Sequence, residues 1–198
     1  MSTFAIIMLA ATAFFAYQIY RHVQTLEDPA EKNEEPAPVF TEPVVTNKSA
    51  ALIDEADEAY SEGDMERALD KLNRANLLFA DNPEILNKLA FINGKIGNTD
   101  KAVELYVRSL ELDDSDDLTH NALASMYKAQ GSLALAQEHY ERALEIDDNY
   151  AITYYNYGNL LSEMGENDKA AQMYSHALVL REDFPEAQEA LEKLKEIK

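Results

Sequence analysis

The chain has 198 residues, which is enough for one ordinary domain with appendages and for a sizeable hydrophobic core. It contains no cysteine, so neither disulfides nor thiolate metal sites can stabilise it. Asp and Glu number 37 against 17 Lys and Arg, and the net charge of -20 argues against nucleic acid and anionic lipid headgroups as partners.

Residues 1–22 form an apolar N-terminal segment. Its uncharged run, residues 3–20, would make a helix about 27 Å long, close to the roughly 30 Å hydrocarbon thickness of a bilayer. Tyr17, Tyr20 and then Arg21 are the residue types expected where a helix leaves the membrane. We therefore expect a single transmembrane anchor. A cleaved signal peptide is the alternative, although no basic region precedes the apolar run.

The basic residues next to this anchor predict its orientation. Arg21 and His22 directly follow the apolar run, whereas only the α-amino group precedes it. Basic residues close to a span resist translocation across the membrane. We therefore expect the remainder of the chain to lie on the cytoplasmic side.

Residues 23–48 have the composition of a linker. Six acidic residues alternate with four prolines there, and few side chains could pack into a core. As a flexible coil this segment would reach about 25 to 30 Å. The composition predicts a disordered tether that lets the following domain sample the space near the membrane.

Glycines recur at a fixed spacing of 34 residues through the rest of the chain, although the chain has six glycines in all. Alanines, other small residues and large residues keep the same period, so chance is a poor explanation. The recurring positions are Gly63, Gly97, Gly131 and Gly165; Ala68, Ala102, Ala136 and Ala170; Leu72, Tyr106, Tyr140 and Tyr174; and Ala75, Ser109, Ala143 and Ala177.

A 34-residue unit fits two helices of about four turns joined by a short turn. The glycine predicts a left-handed backbone where the first helix ends. The small residues lie on one face of the second helix, where they allow the two helices to approach closely, and the tyrosines fill the remaining space. Polar residues that suit turns or helix caps follow the glycines, namely Asp64, Asn98, Ser132 and Asn167.

The unit resembles the tetratricopeptide repeat. The resemblance is carried by Leu86, Leu89 and Ala90, by Leu123, Ala124 and Tyr127, by Tyr154, Tyr157, Gly158 and Leu161, and by Ala143, Leu144 and Ile146. It implies an all-α, right-handed solenoid of four repeats, residues 49–82, 83–116, 117–150 and 151–184. Glu55 and Ala59 depart from the pattern in the first repeat, as does Asn93 in the second, where looser packing is expected.

Residues 185–198 are expected to form a C-terminal capping helix. Ala187, Ala190, Leu191, Leu194 and Ile197 form one apolar stripe, and charged residues surround it. A helix with one polar face is what the end of a repeat array needs for solubility.

The sequence offers no catalytic or metal-binding pattern. His22, His120, His139 and His176 lack a short ligand spacing. The acidic run at Asp113, Asp114, Asp116 and Asp117 lacks the glycine and distal glutamate of a calcium loop. We therefore expect no enzymatic activity, no cofactor, no metal and no small-molecule substrate.

The resemblance also implies that the first helices of successive repeats line a concave groove. Side-chain amides there can pair with the backbone of an extended peptide of any sequence, while Phe91 and Tyr155 could supply apolar pockets. Only fragments of the family's clamp for a C-terminal carboxylate are present, so we do not predict that clamp. The residues expected in the groove are Asp57, Asn87, Lys88, Phe91, Lys95, Asn121, Ser125, Lys128, Tyr155, Asn156 and Asn159.

These features together predict a membrane-anchored adaptor or scaffold that binds an extended peptide segment of a partner protein. The alternative is a structural subunit of a membrane-associated complex. That subunit would use its convex face or C-terminal helix to bind folded neighbours, or would associate with itself.

Overall fold

The computed structural model describes residues 42–196, and this part of the chain is helical throughout, with short connections. The helices are α1 (Glu42–Ser61), α2 (Met65–Leu78), α3 (Pro83–Lys95), α4 (Thr99–Leu112), α5 (Asp117–Ala129), α6 (Leu133–Ile146), α7 (Ala151–Glu163), α8 (Asn167–Leu180) and α9 (Pro185–Glu196). None of these helices is both long and apolar enough to cross a membrane. The predicted anchor, residues 1–22, and most of the predicted linker, residues 23–41, lie outside the described residues.

The start of α1 corrects one predicted boundary. Residues 42–48 were expected to belong to the disordered linker, but they form the first two turns of α1. Proline is tolerated in the first turn of a helix, where its missing N–H has no helical partner, so Pro43 permits this start. No further proline or glycine interrupts the helix before its end at Ser61.

Successive helices pair as hairpins, α1 with α2, α3 with α4, α5 with α6 and α7 with α8. The turn glycines have the predicted left-handed backbone, with φ of 83° at Gly63, 86° at Gly97, 77° at Gly131 and 80° at Gly165. In each turn the N–H three residues beyond the end of the first helix bonds back into that helix, as Asp64 N does to Ala59 O at 2.9 Å. Each glycine therefore ends one helix and turns the chain into the next.

The capping prediction is confirmed at one of the four turns. The Asp64 carboxylate accepts a hydrogen bond from Arg67 N at 3.0 Å and so caps α2. Asn98 and Ser132 occupy the N-cap positions of α4 and α6 without forming this bond. At α8 the N-cap is Glu166, one residue before the predicted Asn167.

Small side chains lie where the two helices of each hairpin meet. The predicted alanines on α2, α4, α6 and α8 are fully buried, and Ser109 is 2% exposed. Leu72, Tyr106, Tyr140 and Tyr174 lie between them and are also buried. In each repeat the core of the hairpin therefore contains two small side chains and one large side chain that fills the space between them.

Two of the three departures in the first two hairpins form polar contacts, and the third, Ala59, is fully buried in the core. Lys71 pairs with Glu55 across the α1–α2 hairpin. Asn93 is 8% exposed, donates to Leu89 O at 2.8 Å and accepts from Asn98 Nδ2 at 3.3 Å. Because its amide is hydrogen-bonded on both sides, Asn93 replaces an aromatic ring without leaving an unpaired buried group.

Helix α9 packs against α8 as the predicted cap. Ala187 is fully buried beside Phe184, Leu194 is 6% exposed, and Ala190 and Leu191 are partly buried. Ile197, the last member of the predicted stripe, lies outside the described residues.

Candidate functional site

The first helices of the hairpins, α1, α3, α5 and α7, carry the predicted groove residues. Between α1, α3 and α5 lies a depression of about 420 Å³, here called the upstream pocket. Asn87, Lys88 and Phe91 were predicted to lie in the groove, and all three line this pocket together with Asp57. The full lining is Asp57, Tyr60, Asn87, Lys88, Phe91, Ile92, Tyr106, Asp116, Leu118, Thr119 and Ala122.

Aromatic and aliphatic side chains form most of the wall of the upstream pocket. Phe91 is 41% exposed, and its ring meets the Tyr60 ring edge-on with centroids 5.4 Å apart. Leu118, in the first turn of α5, is 52% exposed. Large apolar side chains that remain open to solvent in a depression are a typical feature of binding sites.

The lysines of the predicted groove already have partners. Lys88 Nζ donates to both carboxylate oxygens of Asp57 at 2.8 Å. Lys95 Nζ lies 5.1 Å from the centre of the Phe91 ring, and Lys128 Nζ lies 3.9 Å from a carboxylate oxygen of Glu163. The ion pairs of Lys88 and Lys128 therefore offset two of the three positive charges in the predicted groove.

The carboxylate of Asp116 is also fully engaged. One oxygen accepts from the N–H groups of Leu118 and Thr119, and the other accepts from Thr119 Oγ1 and from Asn87 Nδ2 at 3.1 Å. The Asn87 Oδ1 atom is buried and has no hydrogen-bond partner. Asn87 thus links α3 to the start of α5 on this side of the pocket, and its Oδ1 remains available as an acceptor.

The amides further along the groove bond to each other. Asn156 Nδ2 on α7 donates to Asn121 Oδ1 on α5 at 3.2 Å. The Asn121 backbone carbonyl accepts from Ser125 Oγ at 3.1 Å, so the hydrogen bonds of Asn121 to these two residues use its oxygens and leave the Nδ2 donor unused. The sequence placed these two amides on one surface, and the structure adds that they join neighbouring hairpins.

Tyrosines of the second helices form hydrogen bonds with residues at equivalent positions of the first helices. Tyr140 and Ser125 share a hydrogen bond of 2.8 Å, and the Tyr174 hydroxyl donates to Asn159 Oδ1 at 2.8 Å. Ser125 and Asn159, both predicted as groove residues, therefore also tie their hairpins together. In the α3–α4 hairpin the equivalent partner of Tyr106 is Phe91, which cannot accept such a bond.

Tyr106 is consequently different from its counterparts. It is 4% exposed and lines the upstream pocket, and its hydroxyl bonds to no other described residue but is not among the fully buried unpaired atoms, so solvent in the pocket reaches it. Burial raises the pKa of Tyr106 to about 12, so the hydroxyl stays protonated and can donate at neutral pH.

Tyr155 lies in a separate depression of about 400 Å³ between α7, α8 and α9, here called the downstream pocket. Its ring packs against Phe184 and Tyr174, with centroids 5.0 and 6.0 Å apart. The sequence placed Tyr155 in the same open groove as Phe91, but the C-terminal segment supplies much of its surroundings. The lining is Tyr155, Asn159, Ser162, Tyr174, Glu186, Glu189, Ala190, Lys193 and Leu194.

Two histidines that are distant in sequence meet inside the α5–α6 hairpin. His120 Nδ1 and His139 Nδ1 are 2.9 Å apart, and His120 Nε2 is 3.2 Å from the Asp114 carbonyl oxygen. The carbonyl can only accept, so Nε2 carries the His120 proton and His120 Nδ1 accepts from His139. Desolvation lowers the pKa of both histidines. No group of three or more metal-ligating side chains occurs in residues 42–196.

The sequence missed Tyr60, Tyr106 and Leu118 as pocket residues. Tyr106 was predicted to fill the space between helices, and it lies there. The repeat pattern did not predict that its hydroxyl would form no hydrogen bond with the facing helix. The signal that was available is Phe91, which stands one period before Ser125 and two before Asn159. An apolar residue at a position that is polar in the other repeats indicates where the groove becomes apolar.

Comparison with protein families matches the chain to the tetratricopeptide repeat over residues 81–148 and 115–183. These ranges together cover more than half of the chain. Comparison with curated protein sequences found no match.

Several solved structures share the fold. The crystal structure of MamA is 25% identical with a TM-score of 0.66, and the match covers 71% of this chain and 82% of that one. YrrB, described as a tetratricopeptide repeat protein with an unusual peptide-binding site, is 19% identical with a TM-score of 0.64, covering 75% and 76%. The first such domain of Spaghetti (RPAP3), bound to the HSP90 peptide SRMEEVD, is 21% identical with a TM-score of 0.57, covering 58% and 91%.

Proposed function

Because this chain belongs to the tetratricopeptide repeat family, whose helical stacks are protein-interaction scaffolds, we propose that it binds an extended segment of a partner protein along its first helices. The hairpins of residues 49–184 then act as four repeats, and residues 49–82 form the first of them. Two of the similar proteins are described as having a peptide-binding site or a bound peptide, which favours the same use of this surface.

The observation that carries the proposal is the upstream pocket. It extends across α1, α3 and α5, and it leaves Phe91 and Leu118 substantially exposed next to hydrogen-bonding side chains. A peptide lying across these helices would bury the two apolar side chains, and the unbonded Asn121 Nδ2 donor is available to a backbone carbonyl. The groove residues Asn87, Lys88, Phe91, Lys95, Asn121, Ser125, Lys128, Asn156 and Asn159 are the proposed contact surface.

Tyr155 has a different role in this proposal from the one that the sequence suggested. Its ring is held by Phe184 and Tyr174, so it supports the end of the groove and α9. For this reason Tyr155 is not a suitable position for testing peptide contact, because its replacement would also disturb the packing of the cap.

Replacement of contact residues tests this proposal. In the full-length protein, combining Lys88→Ala, Phe91→Ala and Asn121→Ala should remove the partner recovered by crosslinking and membrane extraction. The matched control combines Leu77→Ala, Glu138→Ala and Val179→Ala, three exposed positions on second helices. An unchanged partner after the first triple replacement, with helicity retained, would contradict binding in the groove.

The control also tests the alternative of a structural subunit that uses its convex face. Leu77 on α2 and Val179 on α8 are 85% and 79% exposed, which is unusual for aliphatic side chains. If the control replacement removes the partner or self-association while the groove replacement does not, this second function is the correct one.

We further propose that residues 3–20 anchor the protein in a membrane, with the repeats on the cytoplasmic side. The support is the uncharged apolar run followed by Arg21. Alkaline carbonate should leave the protein in the membrane pellet, and protease added outside intact cells or spheroplasts should leave residues 49–198 undigested. Digestion of this domain while a cytoplasmic control survives would place the repeats on the opposite side.

A further inference from the structure

The upstream pocket has a shape and a chemistry that select among peptides. Its volume of about 420 Å³ lies near the lower end of the range of small-ligand pockets, about 300–1,000 Å³. Such a space suits one large side chain of a bound segment. The specificity of the groove would therefore depend mainly on the residue inserted here.

The walls of the upstream pocket favour an aromatic side chain. Tyr60 and Phe91 already meet edge-on at 5.4 Å, and their exposed faces can pack against a third ring. Leu118 and Ala122 of α5 line the pocket across from them. Burying a ring between these groups would remove Phe91 and Leu118 from water, and buried aromatic anchors dominate the energetics of many interfaces.

The Tyr106 hydroxyl adds a polar requirement within the same pocket, because it bonds to no other described residue and a ligand that displaces its solvent must replace that hydrogen bond. The counterparts Tyr140 and Tyr174 bond to Ser125 and Asn159, whereas Tyr106 stands opposite Phe91 and has no partner among the described residues. A ligand ring with a polar tip, such as a phenol or an indole, can satisfy this hydroxyl. An aliphatic side chain cannot do so.

Apart from the Lys95 ammonium, which lies over the Phe91 ring, the charges around the upstream pocket disfavour an acidic ligand. Lys88 is held by both oxygens of Asp57, and the Asp116 carboxylate already accepts four hydrogen bonds. The whole chain has a net charge of -20, which repels anionic segments and attracts cationic ones. The Asp57 side chain is 57% exposed, so a basic residue of the ligand can approach it from solvent.

From these observations we propose that the upstream pocket selects an aromatic side chain flanked by lysine or arginine in the bound segment. The inference rests on the proposed function, since it names the chemistry of the partner segment that the groove accepts. The ring enters between Tyr60, Phe91 and Leu118, and a neighbouring basic residue pairs with Asp57. Electrostatic attraction of this kind acts chiefly on the association rate and weakens with added salt.

Synthetic peptides test this selectivity on the full-length protein in mild detergent. The probe is a fluorescent nine-residue peptide of alternating serine and lysine with tyrosine at its centre. Its first comparison peptide has alanine at the centre, and its second has glutamate in place of every lysine. The probe should bind at least ten times more tightly than either comparison peptide, and its association rate should fall as salt is added.

A matched pair of variants assigns the binding to this pocket. Phe91→Ala should weaken binding of the probe at least tenfold, whereas Phe79→Ala should leave it unchanged. Phe79 is 44% exposed and Phe91 is 41% exposed, so the two replacements remove similar exposed rings at different places. Circular dichroism should show equal helicity in both variants.

Three results would overturn the inference. One is no binding of the probe, another is equal binding of the tyrosine and alanine peptides, and the third is tighter binding of the acidic peptide. If the triple groove replacement nevertheless removes the cellular partner, the proposed function stands and only the pocket chemistry is wrong. If that replacement has no effect either, both proposals fail.

Discussion

At the scale of single residues, glycines and tyrosines determine how closely neighbouring helices approach. Gly158 on α7 faces the ring of Tyr174 on α8, and a Cβ built at Gly158 would lie 2.6 Å from Tyr174 Cε1 and 2.7 Å from Cδ1. Real Cβ atoms do not come this close to a ring. The small residue is therefore required for the approach of the two helices, and the Tyr174 hydroxyl can then reach Asn159.

Gly158→Ala should destabilise the protein because a methyl group would overlap the Tyr174 ring. Overpacking of this kind typically costs about 1–3 kcal/mol, partly offset by the roughly 1 kcal/mol gain in helix propensity. Urea unfolding should show the loss. The matched control is Gly94→Ala, where the nearest atom is Met126 Sδ at 3.0 Å, in a flexible side chain that can move. Equal effects of the two replacements would contradict this account of Gly158.

The His120–His139 pair predicts that stability decreases at mildly acidic pH. Each pKa is lowered in the folded protein, so the unfolded chain binds protons more readily once the pH falls below the ordinary histidine value of about 6.5. A proton on His120 Nδ1 would also face the donor of His139. The nearby charges are those of Arg142, which opposes protonation, and of Asp114, Asp116 and Glu138, which favour it.

The measurement is the free energy of unfolding between about pH 7.5 and about pH 5.5. It should fall with decreasing pH, and it should fall less in His139→Gln, which removes one of the two titrating groups. His176→Gln, at an exposed position, is the control and should retain the pH dependence of the wild type. A pH dependence that is identical in all three proteins would show that the pair has no such role.

At the scale of the element, α9 completes the stack by covering the last hairpin. Leu194 belongs to the same core cluster as Leu161 and Tyr174, and Ala187 packs with Phe184 and Ala177. Exposed charged residues lie beside this buried stripe of α9, such as Lys193, which pairs with Glu189 at 2.6 Å. This arrangement is the terminal cap that a solenoid requires.

Leu194→Ala should lower the free energy of unfolding by about 2 kcal/mol. This is the lower end of the range for replacing a buried leucine by alanine, and we expect it because a short terminal helix can shift to close part of the cavity. Lys193→Ala, one position earlier and 68% exposed at its side chain, should leave stability nearly unchanged. Thermal melting followed by circular dichroism compares the two. If Leu194→Ala behaves like Lys193→Ala, then α9 contributes little to the core.

The sequence predicted most elements of the fold because the repeat is encoded locally. A glycine, two small residues and a large filler recur in every unit, and the structure has the corresponding turns and buried positions. The start of α1 was not predictable in this way, since proline and acidic residues resemble a linker and also suit a first helical turn. The composition of residues 42–48 does not distinguish these two cases.

The candidate site was less predictable because its character depends on pairs that are distant in sequence. Lys88 and Asp57 are 31 residues apart, and only packing of α1 against α3 shows that the lysine is paired. The position of Tyr155 beneath Phe184 likewise depends on where the C-terminal segment folds back. Register placed Asn87, Lys88 and Phe91 on one face of α3, while the pairing of charges and the accessibility of side chains on that face required the structure.

At the scale of the whole molecule, a large negative charge is spread over a stack of hairpins. In such a stack each hairpin contacts mainly its neighbours, so stability is a sum of local contributions. The net charge of -20 opposes this compact arrangement through repulsion between the acidic surfaces. The same charge attracts cationic segments and keeps molecules apart.

Added salt should therefore stabilise the protein. Raising NaCl from about 10 mM to about 150 mM shortens the Debye length from about 30 Å to about 8 Å and screens the repulsion. The Tm measured by circular dichroism should rise, and KCl should act like NaCl because screening does not depend on the identity of the cation. A Tm that falls with either salt would mean that attractive ion pairs outweigh the net repulsion.

Site-specific photo-crosslinking tests most directly whether the first helices hold an extended segment of a partner. Benzoylphenylalanine would replace Phe91 on α3 or Lys128 on α5, and in matched controls Leu77 on α2 or Val179 on α8. We predict that positions 91 and 128 crosslink to one continuous stretch of a single partner, and that positions 77 and 179 do not. Crosslinks from positions 77 and 179 alone, or scattered contacts of positions 91 and 128 across a folded partner surface, would contradict the proposed function.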